Sequence, residues 1–143
     1  MYGKLILCEY ARATNNGSQF DALGAGVNNI IVPRFPAPIA FALLVETKYS
    51  VAETGRDYPF EIKIIDPDGK AAGPTLGGSI RVAQNHKGAT YAAFNMQLIA
   101  KNHVVLTYSL LVNGEEKDSI SLEIKQGNPI TLVQQTPVEK QSE

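Results

Sequence analysis

The sequence has one cysteine, two histidines and no run of like charge. Each shortage excludes something. With Cys8 alone, no intrachain disulfide and no multi-cysteine zinc site can form within the chain, which fits a reducing compartment. Lysine and arginine are scattered and the formal net charge is −1, so no basic patch is available to neutralise phosphates or anionic lipid. Nucleic acid and membrane surface are therefore not expected partners. Long apolar runs are also missing. Leu5-Ile6-Leu7-Cys8 is too short for a signal-peptide core and no cleavage site follows, and Ile39–Val45 is too short to span a bilayer. The expected location is cytoplasmic.

What is present is a rhythm. Gly, Pro, Asn and Asp punctuate a chain of 143 residues at the spacing of short strands, with β-branched and aromatic residues between them. Strands are predicted near Lys4–Arg12, Gln19–Leu23, Val27–Val32, Ile39–Tyr49, Tyr58–Asp66, Ser79–Ala83, Ala89–Leu98, His103–Val112 and Glu116–Lys125. The second and third also read as one strand kinked at Gly24-Ala25-Gly26. Tyr91–Ala100 tolerates a helix, but Phe94, Met96 and Leu98 alternate with Asn95 and Gln97, which favours strand. The fold class expected is all-β: a two-sheet antiparallel sandwich, immunoglobulin-like, of about eight or nine strands. The sandwich domain spans residues 1–126. Residues 127–143 form a C-terminal extension, with room for one short strand at Ile130–Val133 before a polar tail. That strand is expected on its own sheet; pairing with a neighbour's would make a homodimer.

Periodicity assigns faces and registers. Phe60, Ile62 and Ile64 should point inward, as should Val104, Leu106, Tyr108, Leu110 and Val112. Ile39–Val45 is apolar on both faces, so it should be a central strand covered on both sides. In the last hairpin, strict pairing across Asn113-Gly114 would set Leu106 against Ser121 and put the two apolar faces on opposite sides. A three-residue loop, Val112-Asn113-Gly114, would instead pair Leu106 with Ile120 and Val104 with Leu122, with Gly114 left-handed.

Cys8-Glu9-Tyr10-Ala11 closes the first strand, a Gly-containing hairpin and Leu23-Gly24 follow, Asp66-Pro67-Asp68-Gly69-Lys70 ends a middle strand, and a late strand runs into Val112-Asn113-Gly114. Over roughly Lys4 to Lys125 this resembles an uncharacterised bacterial family of small β-sandwich proteins, classified only as a domain of unknown function. The resemblance implies a fold and a bacterial or phage-like origin, and no chemistry.

The chemistry-bearing residues do not assemble into a recognisable site. Asp66-Pro67-Asp68-Gly69 lacks the later calcium ligands, since Lys70 and Gly77 stand where oxygens are needed, and reads as a turn. His86 and His103 fall in loops expected at opposite ends of the sandwich, too far apart to share a metal. Cys8 lies in an apolar strand, where burial makes a thiol inert. Gly24-Ala25-Gly26 lacks the third glycine and the helix of a phosphate-binding fingerprint. No catalytic, cofactor-binding or metal-binding residue is assigned. The sharpest feature is Pro33-Arg34-Phe35-Pro36-Ala37-Pro38, a stiff loop presenting Arg and Phe, both common at protein interfaces. Up-and-down strands place it at one end with Pro67–Lys70 and Ala100–Asn102, opposite Thr14–Ser18, Ser50–Asp57, Gln84–Gly88 and Asn113-Gly114. The expected function is a non-enzymatic protein-binding or structural module whose partner contact is Arg34 and Phe35, provided the Phe35 ring is exposed. The alternative is a small-molecule or carbohydrate binder, or an enzyme built from isolated polar residues, which would require a concave pocket with converging polar groups.

Overall fold

Alternation along the chain produces strands, and the way their apolar faces are covered produces the architecture. The computed structural model describes residues 1–84 and 88–127. Among these, ten strands follow in order: β1 (Tyr2–Cys8), β2 (Tyr10–Thr14), β3 (Gln19–Leu23), β4 (Asn29–Val32), β5 (Ala37–Lys48), β6 (Asp57–Ile65), β7 (Leu76–Arg81), β8 (Ala89–Ala100), β9 (Val104–Val112) and β10 (Glu115–Gln126). They make a three-stranded sheet β1-β5-β8, a five-stranded sheet β4-β10-β9-β6-β7 and a two-stranded ribbon β2-β3. The chain is all-β, as predicted, and Tyr91–Ala100 is strand. The extension at 128–143, with Ile130–Val133, lies outside the described residues, as does His86.

The two larger sheets bury one shared core. Leu5, Leu7, Ile39, Phe41, Leu43 and Val45 from one meet Phe60, Ile62, Ile64, Tyr108, Leu110, Leu122 and Ile124 from the other. Phe41 and Tyr108 meet edge-on with ring centroids 6.0 Å apart. Fully burying each large side chain contributes about 1.5–3 kcal/mol. Tyr108 adds its hydrophobic area but leaves its hydroxyl with no hydrogen-bond partner among the described residues, and burial pushes its pKa up to about 12.

The expected arrangement needs three corrections. First, Lys4–Arg12 is not one strand. The chain breaks at Glu9, whose N–H donates to the Leu23 carbonyl (3.0 Å), and β2 folds back with β3 over the outer face of β1-β5-β8. The apolar double-sidedness of β5 explains why: Ala42 and Leu44 point away from the main core and are buried with Cys8 and Ala11 beneath the ribbon. Second, Gln19–Val32 is not one kinked strand, and the strand pairing is not wholly antiparallel. Gly24 and Gly26 take left-handed φ of 60° and 91° and turn the chain off the ribbon. β4 then pairs parallel with β10, with Asn29 opposite Glu123.

Third, the last hairpin has a two-residue turn. Asn113 (φ 52°) and Gly114 (φ 77°) are both left-handed, and Val112 pairs with Glu115. A bulge between Glu116 and Asp118 then absorbs Lys117, giving Tyr108–Ile120, Leu106–Leu122 and Val104–Ile124 pairs. The apolar faces do coincide and Gly114 is left-handed, but the bulge rather than the loop restores the phase, so the expected Leu106–Ile120 pair does not form. The bulge also turns Asp118 towards β1, where its carboxylate accepts the Leu5 N–H at 2.7 Å.

Candidate functional site

Strand directions gather the loops as expected. β5 and β8 meet at Ala37–Ala100, next to the 33–36 and 101–103 loops. β6 ends beside the start of β9, with Ile65 opposite Thr107, so the Asp66–Lys70 turn joins the same end. At the other end Lys48 pairs with Ala89, Asp57 with Arg81, and Phe60 with Val112.

At the first end, Val32 is buried and Arg34 is exposed. Phe35 is half-buried and packs against the main core, which anchors the loop from below. The Pro33 carbonyl accepts a bond from Gln126 Nε2 (3.3 Å). Beside the loop, Pro38 pairs with Ile99 on the outer face of the sheet. Ile99, near the end of the edge strand β8, is 68% exposed. Pro38, Ala40, Gln97 and Ile99 contribute to a shallow open groove of about 410 Å³. The Asp66 carboxylate, a candidate calcium ligand by sequence, instead accepts the N–H groups of Asp68 and Lys70, each at 2.9 Å, and closes its own turn.

At the second end, a cleft of about 230 Å³ separates β7 from β8 and is lined by Thr47, Thr90, Ser79, Arg81 and Tyr91, among others. Three of its polar side chains are engaged. The Thr47 and Thr90 hydroxyls bond each other. Arg81 Nε donates to Asp57 Oδ1 at 3.0 Å, and this bond holds the Asp57 carboxyl below its ordinary range. Cys8 is fully buried, and desolvation raises its pKa, which disfavours the nucleophilic thiolate. His103 Nε2 lies 3.9 Å from Glu123 Oε1 at the surface. Among the described residues no group of three His, Cys, Asp or Glu side chains could hold a metal, and no helix is long and apolar enough to cross a membrane.

A family model matches residues 4–125, nearly the whole described fold. The chain belongs to DUF6941, a family of unknown function. No curated protein matches it. Among solved structures, the Pseudomonas fluorescens alkylpurine DNA glycosylase AlkC, bound to DNA containing an abasic site analog, aligns with 14% identity and a TM-score of 0.39 over 85% of this chain. The chain spans 30% of that protein, and superposition at this level transfers neither fold nor chemistry. The DUF6941 match covers β2 and β3, yet sequence reasoning missed the ribbon as a separate layer. The available signal was the double-sided apolar run of β5, which needs two covers rather than one.

Proposed function

We propose that this DUF6941 chain is a non-catalytic protein-binding module of the bacterial cytoplasm, an immunoglobulin-like sandwich that meets its partner at the end carrying Arg34. The observation behind the reading is the exposed Ile99–Pro38 pair beside the 33–36 loop. An aliphatic surface next to a free guanidinium fits a partner segment that presents an apolar side chain and a carboxylate. Arg34 supplies the charge, and Phe35 adds its solvent-facing part while its buried part fixes the loop. A loop held in this way loses little entropy on docking. The competing small-molecule reading is weakened at the Thr47–Thr90 cleft, whose volume falls below the usual ligand range and whose two threonine hydroxyls bond each other.

The test begins with proteins captured from the native host. Each candidate is purified and its affinity measured against wild type, Arg34→Glu and, as a control at the opposite end, Arg56→Glu. Arg34→Glu is expected to weaken binding at least ~10-fold, the scale of an interface hot spot, and Arg56→Glu to leave it unchanged. A partner insensitive to Arg34→Glu contradicts the assignment.

A further inference from the structure

The outer strands of the two larger sheets are guarded unequally. β1 carries Lys4, and its Leu7 carbonyl is taken by the N–H groups of Gly26 and Val27. β4 is four residues long, and β7 contains Gly77-Gly78 and ends at Arg81. These are the devices by which sheet edges avoid unwanted pairing. β8 has none of them. Its twelve residues, Ala89–Ala100, include no charge, proline or glycine, and its ladder with β5 runs unbroken from Ala89–Lys48 to Ala100–Ala37. Its inward residues are also under-covered. Phe94, Met96 and Leu98 are half-buried, whereas their β5 neighbours Leu43, Phe41 and Ile39 are buried. The upper part of the edge is flanked by Gly17, where an added Cβ would lie 3.0 Å from the Tyr91 carbonyl. The stretch Phe94–Ala100 lies beyond that contact.

We propose that Phe94–Leu98 within this stretch pairs antiparallel with the same segment of a second copy, centred on Met96, so that two β1-β5-β8 sheets become one continuous sheet. The sequence is self-complementary in that register. Phe94 meets the second copy's Leu98 and Met96 meets its equivalent, so the half-buried inner row continues across the two-fold axis. On the outer face Asn95 meets the second copy's Gln97, and side-chain amides can donate and accept in both directions. With no charge on the strand, no like charges face each other. The paired segment includes neither Arg34 nor Ile99, so it stands or falls separately from the proposed partner contact.

Sedimentation equilibrium of the full chain tests it. Wild type is expected as a dimer. Asn95 and Gln97 are exposed, so N95K/Q97K spares the monomer fold but sets lysine against lysine, raising the dissociation constant at least ~10-fold. N95K/Q97E sets lysine against glutamate and restores the dimer, and R34E leaves it intact. A wild type that stays monomeric up to ~0.5 mM, weaker than any useful self-association, overturns the proposal. So does a dimer that N95K/Q97K leaves unchanged. A monomer whose outward-facing β8 amides, those not bonded to β5, resist hydrogen exchange also overturns it, since the edge would then be covered from within the chain.

Discussion

A phenol oxygen in the middle of an apolar core is a local conflict between shape and solvation. The ring of Tyr108 fits against Phe41, but the hydroxyl finds no partner among the described residues. An unsatisfied buried hydroxyl costs about 1–3 kcal/mol relative to a bonded one. Tyr108→Phe removes that group and keeps the ring. The expected result is a protein more stable by about 1 kcal/mol in denaturant titration. A loss of stability would mean that the hydroxyl has a partner after all. Lys117 is a residue-scale matter of another kind, because its presence in the chain rather than its chemistry sets the bulge. Deleting Lys117 leaves the two-residue turn and every pair from Leu110–Asp118 onward in place. The deletion variant should therefore fold, with a stability loss no greater than about 1–2 kcal/mol, and should keep a Leu106–Leu122 contact by NMR. Loss of the fold would show that the bulge is needed for direction as well as for phase.

At the scale of elements, the β2-β3 ribbon is the least supported piece of regular structure. It rests on the outer face of the three-stranded sheet through a small cluster of Cys8, Ala11, Ala42 and Leu44. Its Leu23 is 66% exposed. Elements with little buried apolar area open at lower free energy than the core. Cys8 lies beneath this ribbon and is the only thiol in the chain, so its labelling rate reports ribbon opening. Placing a charge in the cluster with Ala11→Asp should accelerate labelling at least ~10-fold while far-UV circular dichroism keeps its β signature, as expected for a sub-global opening. Labelling that speeds up only together with global unfolding would show that the ribbon and the two larger sheets form one cooperative unit.

At the scale of the molecule, the legible features were those set by period and turn chemistry. Alternation placed Phe60, Ile62, Ile64 and the Val104–Val112 row on the core side, and Asp66-Pro67-Asp68-Gly69 named its own turn. Up-and-down counting grouped the loops at the correct ends, although it did so through a Gln19–Val32 strand that does not exist. The count still worked because the chain between Leu23 and Asn29 returns along the edge of β1 and re-enters the other sheet in the direction a kinked strand would have taken. Layer assignment was not legible, because local pattern says that a face is covered and not by what. The candidate contact was half legible. Arg34 is exposed as expected, while the division of Phe35 between core and solvent depends on neighbours far away in sequence.

The parallel pairing of β4 with β10 has a consequence in time. Asn29 lies opposite Glu123, so this ladder closes a loop of roughly ninety residues, the kind of non-local contact that slows folding. On the ribosome, β1 can already meet β5 and β2 can meet β3, while β4 must wait for almost all of the remaining chain before its partner emerges. Throughout synthesis Ile30 and Ile31 stand in an unpaired strand. The last ladder to form is therefore also the one that shields the earliest unpaired segment, which makes the interval before β10 arrives the period of greatest exposure to aggregation.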